Sequence, residues 1–151
     1  MKALLKTIAV LVIFGILIGA ALAQFSKPED AIKYRQSVMF VIAQHFGRLG
    51  AMVKGIQPYD QMTFASNTAV IETLSGLPWE AFLVPGSDSG KTTMKSSVLK
   101  DPDGFKSLAQ QFQFEVGKLS ATAKGNDLNA IKTQFGAVAQ SCKNCHSKTR
   151  K

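Results

Sequence analysis

Asp127-Leu128-Asn129-Ala130-Ile131-Lys132-Thr133-Gln134-Phe135-Gly136-Ala137-Val138-Ala139-Gln140-Ser141-Cys142-Lys143-Asn144-Cys145-His146 is the stretch that decides the fold. Leu128, Ile131, Phe135, Val138 and Cys142 recur at three- and four-residue steps, which is one face of a helix. Asp127 stands where an N-cap belongs. The helix ends in a C-x-x-C-H run, Cys142 to His146, the attachment pattern of a c-type haem.

That spacing has a chemical reason. Two thiols three positions apart lie on neighbouring faces of one helical turn, within reach of the two vinyl groups of a porphyrin. The histidine directly after the second cysteine sits below the iron, where an imidazole nitrogen serves as axial ligand. Cys142 and Cys145 are the only cysteines in the chain, so one thioether-linked haem c uses both, with His146 as the iron ligand. A thioredoxin-like dithiol needs a βαβ context, which the flanking sequence lacks. A zinc site needs four ligands. Beyond the motif only the distant His45 remains, and adjacent Cys145 and His146 are poorly placed to chelate one tetrahedral ion.

Working outward, three more helices read from the same kind of pattern. Ser26-Lys27-Pro28-Glu29 signals a start, with Ser26 as N-cap, Pro28 in the first turn and Glu29 closing a capping box. Ile32, Arg35, Val38, Met39, Ile42, Phe46 and Leu49 then keep a helical period. Gly47 and Gly50 mark a fraying end, so the spacing predicts a helix over 27–49. Asp60 caps a second helix over 60–75, with Phe64, Thr68, Ile71 and Leu74 on its apolar face. Leu77 to Phe82 has no clear period, and Pro85 to Gly90 is a loop by composition. Residues 91–100 read either as a short helical extension or as a loop. Asp101-Pro102-Asp103 starts a third long helix, buried along Phe105, Leu108, Phe112, Val116, Leu119 and Ala123, which Gly125-Asn126 ends. No alternating strand pattern competes. An all-α, antiparallel four-helix bundle is expected, with haem attached near the end of the C-terminal helix.

The N-terminus reads differently. Lys2 and Lys6 precede an almost wholly apolar run, Ile8 to Leu22, and Ala21-Leu22-Ala23 is an A-x-A cleavage site. A signal peptide over 1–23 is expected, cleaved after Ala23, leaving 24–151 as one domain. An uncleaved anchor is the competing reading, since the apolar run matches a short membrane span. No second long apolar segment follows, so the cleaved chain is expected to be free of the membrane. Export implies an oxidising compartment. There a cysteine pair ordinarily suggests a disulfide, but a disulfide leaves the adjacent histidine unexplained. The formal net charge is +8, and loss of Lys2 and Lys6 leaves about +6. That balance favours acidic partners or anionic surfaces. No basic run with interleaved aromatics points to nucleic acid.

The far side of the iron has two candidates. Met39, on the buried face of the first helix, reads as a thioether ligand or as a core methionine filling the distal space. His45 reads best as an exposed histidine off the apolar stripe. Met52, Met62 and Met94, nearer helix ends or loops, are weaker ligand candidates. Arg150, four residues after His146, shares a face with it if the helix continues, or else belongs to a basic helix terminus that suits the dipole. Arg35, one turn before Met39, either pairs with a haem propionate or sits at a solvated edge.

Taken together, these residues resemble a family. Lys27-Pro28-Glu29-Asp30-Ala31-Ile32-Lys33-Tyr34-Arg35-Gln36-Ser37, His45-Phe46-Gly47-Arg48, Leu77-Pro78-Trp79 and Cys142-Lys143-Asn144-Cys145-His146 with Arg150 are similar to the cytochromes c′, the class II c-type cytochromes. The resemblance implies thioethers at Cys142 and Cys145 and His146 as proximal ligand. It puts Met39 in the usually apolar, non-bonding distal position, and Arg150 beside the proximal face. It puts Arg35 and Gln36 near the propionates, and Trp79 and Phe82 near the haem. Low-spin relatives carry a ligating methionine about one turn before Met39, where this chain has Arg35, so five-coordinate iron is implied. Residues 83–100 depart from the family's usual connection. The family implies periplasmic homodimers that bind NO and, more weakly, CO.

The function expected is therefore a gas-binding haem protein with high-spin pentacoordinate iron. It would scavenge NO, retain some capacity for electron transfer, and have a redox partner the sequence does not identify. The alternative is a low-spin electron carrier with Met39 as sixth ligand. An enzyme is least expected, because no distal acid–base pair is evident.

Overall fold

A computed structural model describes residues 25–151. The expected signal peptide and its cleavage site lie outside the described residues. Four long helices make the frame: α1 (Pro28–Val53), α2 (Gln61–Leu74), α4 (Pro102–Thr122) and α5 (Leu128–Thr149). The excursion between α2 and α4 holds a 3₁₀ turn (Glu80–Phe82) and the single-turn helix α3 (Ser97–Lys100). Helix α1 packs on α2, α2 on α4, α4 on α5, and α5 closes back on α1. This is the four-helix bundle that the periodicity predicts. Among the described residues no strand forms; one isolated bridge pairs Met94 with Arg150.

The predicted apolar faces converge. Ile42 and Leu49 from α1, Phe64 and Ile71 from α2, Phe112, Val116 and Leu119 from α4, and Ile131 and Val138 from α5 form the main core. Each such side chain contributes roughly 1.5–3 kcal/mol by leaving water. Phe46 of α1 stacks on Phe135 of α5, with ring centroids 4.3 Å apart, and so ties the first helix to the last.

The helix ends follow the backbone more than the side-chain signals. Ser26 does not cap α1. Pro28 forces the residue before it into an extended conformation, so Lys27 takes the cap position with no side-chain bond. Ser26, one residue too early, donates to Asp30 Oδ2 at 3.2 Å instead. Helix α1 also runs past Leu49 to Val53. Met52 is buried on the same face, and it continues the core contact beyond Gly47 and Gly50. The other caps form as expected. Asp60 accepts from Thr63 N, Asp101 from Gly104 N, and Asp127 from both Asn129 N and Ala130 N.

Asp127 therefore anchors the start of the helix that carries the C-x-x-C-H motif. An Asp127→Ala variant is expected to lose about 1 kcal/mol, seen as a melting point lower by roughly 3–5 °C. An unchanged melting curve would show that the cap contributes nothing.

Candidate functional site

A cavity of about 390 Å³ opens where α1, α5 and the excursion meet. Met39 and Phe40 of α1 form one wall, and Cys145, His146 and Thr149 of α5 another. Trp79, Phe82, Thr92 and Met94 close it from the excursion, and Arg35, Gln36 and Arg150 stand at its polar margins. One space thus gathers His146, Met39, Trp79 and Phe82. Residues 91–100, read as a short helical extension or a loop, supply Thr92 and Met94 to the enclosure.

The two thiols differ in setting. Cys145 lines the cavity, whereas Cys142 packs against the main core. Both are unpaired. Burial is the main cause that pushes both thiols up in pKa, so they stay protonated at neutral pH. They sit in the last turns of α5, away from the helix N-terminus that lowers the pKa of a reactive dithiol. Among the described residues no cluster of three or more His, Cys, Asp or Glu side chains is arranged to hold a bare metal ion. Two neutral thiols and a histidine beside a largely apolar cavity fit a planar macrocycle better than an ion.

His146 is exposed towards the cavity mouth. Partial burial first, and the charge on Arg150 second, lower its pKa. The neutral imidazole is favoured, and that is the form with a lone pair to donate. Arg150 reaches its place by a route the spacing did not predict. Helix α5 ends at Thr149, and Arg150 turns extended (φ −112, ψ 142), its N–H still bonded to His146 O. The shared-face argument for a continuing helix therefore does not apply; the bridge to Met94 holds Arg150 at the cavity.

Arg35 is not at a solvated edge. It is 2% exposed. Its Nη1 donates to Ala81 O and Ser87 Oγ, each at 2.9 Å. Its Nη2 donates to Ser87 O at 2.6 Å and Thr92 Oγ1 at 2.9 Å. The guanidinium also lies 4.7 Å from the centre of the Phe82 ring. Burial lowers its pKa and Asp88 partly offsets this, but an arginine stays charged throughout. Gly86 and Gly90, at φ +81 and +79, let the chain turn on both sides of Ser87 and present its oxygens. Gln36 adds a bond from Nε2 to Lys91 O at 2.9 Å.

Trp79 is fixed by its Nε1 bond to Ser75 O at 2.5 Å. Its ring packs edge-on against Phe105 and Phe112, both at 5.9 Å, and lies 6.2 Å from Phe82. His45 stays away from the cavity. It is half-buried, not exposed, with Nδ1 2.7 Å from Asn67 Oδ1. Because Asn67 Nδ2 already donates to Thr63 O, His45 Nδ1 is the donor in that pair. Met94, weak as a candidate from its loop position, is 3% exposed and lines the cavity. Nothing in its local sequence marks it, because long-range pairing with Arg150 brings it there.

A family model described as cytochrome C′ matches residues 30–150. The cytochrome c′ of Alcaligenes xylosoxydans xylosoxydans is 46% identical, over 85% of this chain and 98% of its own. That of Rubrivivax gelatinosus is 47% identical, over 83% and 97%. The solved Rubrivivax structure superposes with a TM-score of 0.80, covering 85% of this chain and all of that one. Solved forms of the Alcaligenes xylosoxidans protein include a nitric oxide complex of one mutant and a carbon monoxide-bound variant. Each has a TM-score of 0.78 at 45% identity, over 85% of this chain and 98% or 99% of theirs.

Proposed function

This chain belongs to the cytochrome c′ family, and from that premise we propose that it is a periplasmic haem c protein that binds NO and CO and protects the cell by capturing NO. The observation that carries the reading is that His146 and Met39 line one cavity from two different helices. Haem bound there supplies an iron with one side held by the chain and the other open to a small diatomic.

The chain's residues would divide the work. Cys142 and Cys145 anchor the macrocycle by thioethers, and His146 donates its neutral imidazole. Met39, Trp79 and Phe82 line the space with half-buried apolar side chains, so a small neutral molecule is favoured over an anion. Arg35 and Gln36 would lie near the propionates, Arg35 contributing its buried positive charge while its Nη groups stay on Ala81, Ser87 and Thr92. The titratable side chains that line the cavity are Arg35, Cys145, His146 and Arg150. With no carboxylate among them, the lining supports a binder rather than a hydrolytic or peroxidatic enzyme. NO and CO complexes of the Alcaligenes xylosoxidans protein, at 45% identity, support the ligand class.

Met39 also supports the second reading, a low-spin carrier with that thioether on iron. Five-coordinate iron is preferred because the position one turn earlier holds Arg35, already committed to four hydrogen bonds. The ferrous absorption spectrum decides. A high-spin spectrum that changes on adding NO or CO is expected; a low-spin, gas-inert one would replace this reading by the carrier. Met39→Ala is further expected to raise CO affinity about tenfold or more, about 1.4 kcal/mol. An unchanged affinity would mean that Met39 does not crowd the distal side. The homodimer implied by the family belongs to the same proposal, and sedimentation of the holoprotein tests it.

A further inference from the structure

Arg35 holds more than its own wall. Thr92 Oγ1 accepts from Arg35 Nη2 at 2.9 Å and also from Met94 N at 3.1 Å. The residues around Met94 then pair with the chain after His146. Lys95 N donates to Thr149 O and Lys151 N to Thr93 O, both at 2.8 Å, and Lys95 Nζ donates to Ser147 O at 2.9 Å. One continuous run of hydrogen bonds therefore joins α1, which carries Met39, to Ser147–Lys151. Both ends line the same cavity.

A single antiparallel bridge is too short to hold itself in water. Met94 packs with Val98 and Phe105, Gln36 bonds Lys91 O, and Thr92, held by Arg35, adds the bond to Met94 N. A planar fork of four N–H groups binds two turns of the excursion at once; a single ammonium group does not.

We propose that Arg35 is a positioning residue for the opposite wall: acting through Thr92 and the strap Ser87–Lys95, it sets the place of Arg150 beside His146. The inference rests on the haem-binding reading for its functional meaning, though not for its geometry. A change at Arg35 is then felt at Arg150 and His146 through the strap.

Thr92→Val tests this, since it keeps the β-branched shape and removes the acceptor shared by Arg35 and Met94. In the holoprotein, the Lys95 and Lys151 amides are expected to exchange hydrogen about tenfold faster or more. The Ile42 amide, in the interior of α1, is expected to keep its rate. Thr92→Ser, which retains the hydroxyl, is expected to match the parent. The ferrous iron–histidine stretching band in resonance Raman is expected to shift in Thr92→Val and not in Thr92→Ser. Parental exchange at both amides in Thr92→Val overturns the strap, and an unshifted band overturns its reach to His146. If Thr92→Val does not fold, Arg35→Lys read at the same two amides decides in the same way. Failure of the parent to bind CO would sink the gas-binding reading alone, because the amide result does not depend on it.

Discussion

Replacement of both thiols, Cys142→Ala with Cys145→Ala, is expected to leave a chain that gives no haem stain on a denaturing gel and yields all its haem to acidified organic solvent. The parent is expected to retain all of it. The contrast is expected to be all-or-none because any bond from His146 to iron would be reversible, whereas a thioether survives unfolding. The single variants are expected to differ. Cys145 lines the cavity, so Cys145→Ala removes one anchor with little change in packing. Cys142 packs on the main core, so Cys142→Ala also leaves a small void and destabilises by about 1 kcal/mol. Covalent haem persisting in the double variant would refute attachment at these positions.

The second large effect is expected at Arg35. Arg35→Leu has similar bulk but leaves Ala81 O, Ser87 O and Ser87 Oγ without its N–H groups, and Thr92 Oγ1 with Met94 N alone. Buried acceptors stripped of a charged donor are costly, and about 3–5 kcal/mol of stability is expected to be lost. For a domain of this size that lowers the melting point by roughly 10–20 °C. Arg35→Lys is expected to recover only part, because one ammonium group cannot serve two turns of chain. A Leu variant melting within about 2 °C of the parent would mean that the excursion holds its shape without the guanidinium.

The bundle was legible because helix periodicity is local. Ile42, Phe64, Phe112 and Ile131 mark their own buried faces, and Asp60, Asp101 and Asp127 mark their own caps. The motif was legible because all three of its chemical groups lie within five residues. Other features depended on distance along the chain. Arg35 sits on the apolar stripe of α1, but its partners are oxygens 46, 52 and 57 residues away. Spacing offers Arg150 either a continuing helix or a basic helix terminus; it takes the C-cap of α5, and the bridge to Met94 sets its backbone. Met94 looked peripheral because composition marks the chain before it as loop, and composition says nothing of what a loop lies against. Ser26 failed as a cap because Pro28 governs the residue before it more firmly than any hydroxyl does.

The strap is where the two ends of the domain meet. It is tied to the first long helix by contacts spanning 52 and 57 residues, and to the last few residues of the chain through Thr93 and Lys95. Closing loops of that length has an entropic cost before any bond repays it. The strap links α1 to the end of α5 only when both ties are made, and that requires the two helices to lie side by side. The bundle can therefore assemble from near-neighbour helices while residues 87–95 are still disordered, and the strap locks afterwards. By the same account it is the first unit to open on mild destabilisation, so the cavity loses its outer wall before the bundle loses its helices.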